Sequence, residues 1–550
     1  MKTKLISALE KCFLDDDMDA KQEYSSGSCL KQELFRFGIC YTADEALDRA
    51  VAVLLTVHSE ISEHIRLQRV EHVPVKYPVY GNATKEGYLR TTPGLYPDLL
   101  TPINDHHRLI LSNNLESLFI EVDTKGIDKA GIYPIEFVFS DFGSHEILSS
   151  VTFHLEILDC VLPKQKLVYT QWFHCDCLMD YYGTKAFDER HWEIIENYLK
   201  TAVKNGVNMI LTPVFTPSLD TYVGGERSTT QLVDIFVSGG EYSFCFDKLK
   251  RWIDMCRRVG VEYFEISHFF TQWGAAHAPK IVASVDGTLQ KIFGWETEAC
   301  GKDYAEFLSI FLPELLDFLK AQGVDEKCVF HISDEPQLHQ LQSYQAAKEI
   351  VAPLLKGYKI LDALSNYEFY ESGAVWNPIP ATNHIEPFLE NKVPDLWTYY
   401  CCAQYDKVSN RFIAMPSYRN RVIGVQLYKY GIKGFLHWGY NFYNCQGSYH
   451  RVNPYVSTDG DYFTPSGDAF SVYPAPDGTA YESLRFAVFH DALQDMRALE
   501  LCETLRGREF VLRLIDESWE GELTFKEYPR NEKYLLALRQ KVNDAIRGCL

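Results

Sequence analysis

The sequence has no long apolar run, no cluster of Lys and Arg, no paired-cysteine framework and no glycine-rich phosphate loop. Each absence excludes a class of function. A membrane-spanning helix needs roughly 18 or more consecutive apolar residues, and no window approaches that. The opening Met1-Lys-Thr-Lys-Leu-Ile-Ser-Ala-Leu-Glu10 carries basic residues but lacks the apolar core of a secretory signal. Lys and Arg total 54 against 75 Asp and Glu, a formal charge of −21. Nucleic-acid binding rests on clustered cations that displace counterions, so no nucleic-acid partner is expected and the acidic balance reads as a solubilising surface. The 15 cysteines are odd in number and irregularly spaced. With no secretory signal they read as free thiols of a cytoplasmic protein. Cys175 and Cys177 lack a second pair at zinc-site spacing. Cys401 and Cys402 are adjacent, and adjacent side chains on a strand face opposite ways. No metal site is expected from either.

What the chain has instead is size and aromatic content. Its 550 residues exceed one ordinary core, so two or three structural units are expected. A 46% hydrophobic and 23% charged composition describes a globular protein. Tyr, Phe and Trp number 34, 33 and 9, a load shared by large barrel cores and by clefts that stack on pyranose rings.

Residues 1–162 read as an N-terminal β-sandwich-like domain. Short segments at 32–41, 108–112, 117–122, 133–139 and 149–158 are rich in Phe, Ile and Val, and 149–158 alternates apolar and polar with period two. After Pro163-Lys164 the pattern becomes strand, then helix, repeated. Candidate strands at 167–173, 207–212, 261–267, 327–332, 358–363, 374–378, 396–401 and 433–438 alternate at first with helical stretches at 189–204, 246–259, 304–321 and 337–354. Gly206, Gly260 and Gly323 sit where a left-handed helix stop is needed. Eight such strands make residues 163–505 a candidate (β/α)8 TIM-type barrel, an α/β fold, with 506–550 a helical extension packed on it. An open doubly wound sheet is disfavoured by the missing phosphate loop.

Barrel active sites collect at the carboxyl ends of the strands. Those ends carry Trp172, His174 and Asp176; His268, Gln272 and Trp273; Asp334 and Glu335; Tyr399; and Trp438 and Asn441. One adjacent carboxylate pair among Trp, Tyr, His and Asn suits sugar hydrolysis, which needs a proton donor and a stabiliser of positive charge at the anomeric carbon. Pro336 is expected to hold Glu335 extended, so that both acids face one site where the strand ends. Neighbours so close do not suit the opposed geometry in which one carboxylate attacks the far face. They suit a mechanism in which a sugar 2-acetamido group is the nucleophile. The plain alternative makes Asp334 and Glu335 a helix cap and first-turn acid before a helix near Gln337. His331 reads as a core histidine, Lys280 as a loop cation, and Ser333 lacks the turn of a hydrolase nucleophile.

Phe330-His-Ile-Ser-Asp-Glu-Pro336 resembles the catalytic segment of glycoside hydrolase family 123, the β-N-acetylgalactosaminidases. Trp172-Phe-His-Cys-Asp-Cys-Leu178 with Tyr181-Tyr-Gly183 is similar to that family's first barrel strand and loop. Gly434-Phe-Leu-His-Trp-Gly-Tyr-Asn441, Gly467-Asp-Ala-Phe-Ser-Val-Tyr-Pro474 and Ser483-Leu-Arg485 resemble its C-terminal part, also catalogued as domain of unknown function 4091. The resemblance implies a cofactor-independent, retaining exo-hydrolase that removes terminal β-linked N-acetylgalactosamine from an oligosaccharide or glycoconjugate. It implies Asp334 as the acetamide-orienting carboxylate, Glu335 as acid and base, and Trp172 and Trp438 as lining of the sugar subsite. A glycosidase acting on a sugar without an acetamide and a non-catalytic carbohydrate-binding barrel stand beside it. Neither reading sets an oligomeric state.

Overall fold

The computed structural model of the protein describes residues 1–103, 107–517, 519 and 521–549. The fold is mixed α/β, in two compact units: Met1–Gln165 with Tyr405–Tyr430 and Tyr481–Leu550, and Lys166–Gln404 with Gly431–Ala480. The units are therefore not the consecutive stretches 1–162, 163–505 and 506–550. Late segments group with the first 165 residues because their helices pack there. Leu484 and Ala487 share a buried cluster with Ala8, Val70, Leu100 and Phe119. Arg36 is buried between Glu121 and Asp491 at 2.8 and 2.6 Å.

In the first unit, the N-terminal region is β-rich. One five-stranded sheet runs Lys2–Ser7, Leu34–Thr42, Glu116–Asp123, Ile65–Val75, Gly94–Pro102 in spatial order. The other runs Ser26–Lys31, Ile147–Val161, Gly131–Asp141, Val51–His58, Arg108–Leu111. Alternating residues of both sheets, among them Phe37, Ile39, Ile120, Phe137, Phe139 and Phe153, form one buried cluster. Phe37 and Phe153, from different sheets, stack with ring centroids 4.0 Å apart.

The second unit holds eight parallel strands: Val168–Gln171, Met209–Thr212, Tyr263–Ile266, Cys328–Phe330, Lys359–Leu364, Asn377–Pro380, Trp397–Tyr399 and Gly434–His437. Each overlaps a segment read as a strand from sequence. Neighbours follow chain order from the sixth strand back to the first, then the eighth and seventh. The last gap is spanned by a single parallel bridge, Ala381 to Tyr399, so the barrel is nearly closed. Period-two alternation turns Met209, Leu211, Leu361, Ala363, Ile379, Ala381, Trp397, Tyr399 and Leu436 into one interior cluster.

The helices between strands have local causes. Glu189–Lys204 is capped by Asp188, whose side chain accepts from His191 N at 2.8 Å. It buries Trp192, Ile195, Leu199 and Ala202 on one face, and Gly206 follows with φ 87°. Asp247–Val259 stops at Gly260, φ 102°. Loops after the second and third strands add a four-stranded sheet of Asp234–Ser238, Glu241–Cys245, Ile281–Val285 and Thr288–Phe293. Among the described residues no helix is long and apolar enough to cross a membrane.

Barrel closure on the eighth strand depends on a missing side chain. Gly434 pairs with Trp397, and a β-carbon on Gly434 would lie 2.0 Å from the Trp397 ring. Trp397 is buried, so the ring has no room to retreat. Gly434→Ala is expected to destabilise the fold by about 1–3 kcal/mol, the usual cost of overpacking, read as a lower midpoint in denaturant unfolding.

Candidate active site

At the carboxyl ends of the strands lies a cavity of about 160 Å³. Its wall includes Trp172 and His174 after the first strand, Asp220 after the second, Gln272 and Trp273 after the third, and Asp334 and Glu335 after the fourth. Tyr399 closes the seventh strand, Cys401 and Cys402 follow it, and Trp438 follows the eighth. Eight of the eleven residues singled out from sequence thus meet in one place.

The other three lie behind the wall. Asp176 takes both Nε and Nη2 of Arg227 at 2.7 Å, in a pair buried on both sides. The same Nη2 donates to His174 Nδ1 at 3.1 Å, while His174 Nε2 donates to the Trp438 carbonyl, also at 3.1 Å. Burial, helped by the Arg227 cation, holds the His174 imidazole down to about 3, so it is neutral with one defined tautomer. Asn441 clamps the His174 backbone, its Oδ1 accepting from His174 N at 2.9 Å and its Nδ2 donating to His174 O at 3.1 Å. His268 is buried, stacked on His331 with centroids 4.5 Å apart and set edge-on to Trp172. None of the three lines the cavity; each positions a residue that does.

Asp334 and Glu335 are not a helix cap. The following 3-10 turn, Leu338–Gln340, is capped by Gln337, which forms a reciprocal capping box with Gln340. Nor does Pro336 keep Glu335 extended, because Glu335 has φ 43°. That left-handed conformation costs a side-chain-bearing residue about 1 kcal/mol or more. Three bonds, two to the loop after the third strand and one to the fifth strand, hold the segment: Ser333 Oγ to Thr271 O at 2.8 Å, Trp273 N to Asp334 O at 2.9 Å, and Glu335 N to Ala363 O at 3.2 Å. Ser333 is thereby occupied and buried. Trp273, 46% exposed, and Asp220 also have positive φ, 58° and 46°, so strain gathers along this wall.

Burial raises the Asp334 carboxyl well above the usual carboxylate range, and the Glu335 charge adds to it, while His331 opposes. Burial raises Glu335 too, against the Tyr399 hydroxyl, which donates to Glu335 Oε1 at 2.5 Å. The two acids titrate as a pair. Trp438 Nε1 donates to Asp468 Oδ2 at 2.9 Å, and the Asp468 charge raises Glu335 further. Cys401 and Cys402 both reach the cavity, with their thiols in contact, because the strand has already ended at Tyr399 and alternation no longer applies.

Beneath this wall a group of polar side chains is set into the otherwise apolar barrel interior. Glu265 accepts from Thr170 Oγ1 at 2.6 Å, Trp172 Nε1 at 2.8 Å and His331 Nε2 at 2.8 Å. His331 Nδ1 lies 3.5 Å from Asp362 Oδ1, and Asp362 accepts from Tyr344 Oη and from Ile332 N at 3.1 Å. Burial alone lowers the His331 basicity, but the two carboxylates outweigh it and raise the imidazole to about 10.

Sequence reasoning missed Asp220, Cys402 and Phe463 on the wall and Arg227 behind it, on loops without motifs, and Gln446, which begins a short 3-10 turn. Glu265 did carry a signal, a single acid on the inward register of the apolar strand Tyr263-Phe-Glu-Ile266.

His331 has a folded value above its unfolded value near 6.5, so its stabilising contribution is whole below about pH 6.5 and is lost as pH rises towards 10. The stability excess of wild type over His331→Gln should therefore be constant at acid pH and shrink through the alkaline range. Denaturant titrations from pH 6 to 10 measure it; an excess that does not change with pH contradicts a cationic His331.

A family model for the glycoside hydrolase 123 catalytic domain matches residues 172–502, more than half of the chain. A family 123 glycoside hydrolase from Clostridium perfringens, solved in a study of glycolipid glycan hydrolysis, superposes with a TM-score of 0.74 at 16% identity, over 100% of this chain and 98% of that one. A Bacteroides uniformis β-glucuronidase covers 87% of this chain and 49% of its own at 10% identity and a TM-score of 0.29. The N-terminal domain of PorA covers 29% of this chain and 99% of its own at 8% identity and a TM-score of 0.15. Curated protein sequences give no match. Since the matched stretch begins at Trp172 and carries the Asp334-Glu335 wall with it, the chain belongs to glycoside hydrolase family 123 and is a glycoside hydrolase.

Proposed function

We propose that this hydrolase removes terminal β-linked N-acetylgalactosamine with retention, using the substrate's 2-acetamido oxygen as nucleophile. The observation that carries the reading is the adjacency of Asp334 and Glu335 on one cavity wall. Both are raised by burial, which favours retention of a proton on the pair, the direction that an acid with a neighbouring base requires.

In this reaction Glu335 protonates the glycosidic oxygen as the acetamide oxygen closes on the anomeric carbon and the leaving group departs. The ring so formed is an oxazolinium cation. Asp334 accepts a hydrogen bond from its N–H and balances its charge, which favours the ionised form of Asp334 as the transition state is approached. Glu335, now a carboxylate, takes a proton from the water that opens the oxazolinium and restores the β configuration. The Tyr399 hydroxyl fixes the Glu335 rotamer. Trp172, Trp273 and Trp438 offer flat faces to a sugar ring. The two packed N-terminal sheets and the ordered parallel strands support the finer reading of a β-sandwich followed by a (β/α)8 TIM-type barrel.

A second reading has one observation in its favour. Asp220 is a third carboxylate on the cavity wall, and an opposed carboxylate is what a sugar without an acetamide needs.

Aryl β-N-acetylgalactosaminide and β-N-acetylglucosaminide are the direct substrates. Glu335→Gln and Asp334→Asn should each lower kcat by about 10²- to 10⁴-fold with little change in melting temperature; undiminished turnover in both sinks the assignment. A thiazoline mimic of the oxazolinium should inhibit the wild type far more tightly than the free sugar does. Failure to inhibit an enzyme that still cleaves aryl glycosides moves the balance to the second reading.

A further inference from the structure

The leading mechanism leaves the third carboxylate of the cavity unused. Asp220 stands on the loop after the second strand, next to the cavity-lining Leu219. Its backbone is held on both sides: Asp220 N donates to Gln272 Oε1, and Asp220 O accepts from Ser448 Oγ at 2.8 Å. Two positions on, Tyr222 N donates to the Gly447 carbonyl at 3.0 Å. These bonds keep Asp220 at φ 46°, a conformation that a side-chain-bearing residue holds only when its surroundings impose it.

The side chain so placed is incompletely satisfied. The Gly447 amide serves the carboxyl group. Oδ2 is buried and has no hydrogen-bond partner among the described residues. Arg227, whose charge Asp220 feels, is committed to Asp176, to the Leu219 carbonyl at 3.0 Å and to His174. Burial, with Arg227 opposing it, pushes the Asp220 carboxyl up to about 7. A buried acceptor without a donor is costly, and native structures keep few of them. On the wall of a sugar cavity, a sugar hydroxyl removes that cost.

We propose that Asp220 is a specificity-determining residue whose orphaned Oδ2 receives a ring hydroxyl of the sugar bound in the cavity. This rests on the reading that the cavity holds the sugar being released. It does not need the acetamide mechanism. Either protonation state of Asp220 serves: the carboxylate accepts from the hydroxyl, and the acid accepts through one oxygen while donating through the other. A site with a buried polar group aimed at a hydroxyl rejects the analogue lacking it, because the protein group is left unpaired.

The test compares kcat/KM for wild type, Asp220→Asn and Asp220→Ala. The substrates are the aryl glycoside that the wild type cleaves and its 3-, 4- and 6-deoxy analogues. The wild type should disfavour one analogue by about a hundredfold or more. Asp220→Ala should lose a similar factor on the parent and on the other two analogues but nothing on that one, so the ratio collapses towards unity. The isosteric Asp220→Asn should fall between, and matched melting temperatures exclude misfolding as the cause. An unchanged ratio in both variants overturns the proposal. So does an equal loss on the parent and all three analogues, which is the signature of an opposed nucleophile or of a residue acting through Asp334. A failed acetamide reading shows separately, as a parent that is a plain hexoside, on which the same ratio is measured.

Discussion

The second unit is organised around a buried carboxylate that cannot be left alone. Glu265 sits inside the barrel, fully shielded from water, and a carboxyl group there is tolerated only with partners for its oxygens. Thr170 on the first strand, Trp172 just past its end and His331 just past the end of the fourth supply them. One interaction therefore ties three strands together and orients a Trp of the cavity wall. It also makes His331 a cation, which draws Asp362 and, through it, Tyr344 into the same line. Breaking such a pair is costlier than never having had it, because the partner remains buried and charged.

The same cation acts upward on the site. Asp334 is three residues beyond His331 and feels its charge against those of Glu335, Asp362 and Asp220. Desolvation is the larger effect and wins, so Asp334 remains raised. His331 sets how far. The barrel interior is thus both the support of the wall and the source of its electrostatics, and the tautomer of His174 is governed in the same way by Arg227 behind it.

Strain is the other contribution of the fold. Asp220, Trp273 and Glu335 come from three different loops, and each has a backbone that side chains rarely adopt. Each is held by hydrogen bonds from a neighbouring segment of the chain. At Glu335 this overrode the local preference of a residue before proline for extended backbone, because bonds from Ala363 and Trp273 hold both sides of the peptide at once. At Cys401-Cys402 the opposite happened: the strand ended early, and the alternation rule lost its object.

The sequence by itself determined the eight strands, the first helices and their glycine stops, and the candidacy of Asp334 and Glu335, because periodicity, capping and strand-end position are local properties. It also named half of the wall, since a barrel collects its strand ends. Only the tertiary structure decided which named residues reach the cavity and which stand behind it. Asp176, His268 and Asn441 are closer to strand ends than Trp273, but Arg227, His331 and the His174 backbone claim them first. Asp220 shows the converse. Nothing in its loop marks it, and its place on the cavity wall with one unserved oxygen follows from bonds to Gln272 and Ser448, distant in sequence. The grouping of late helices with the N-terminal sheets is likewise a long-range matter, since an amphipathic helix carries no local record of the surface that will cover it.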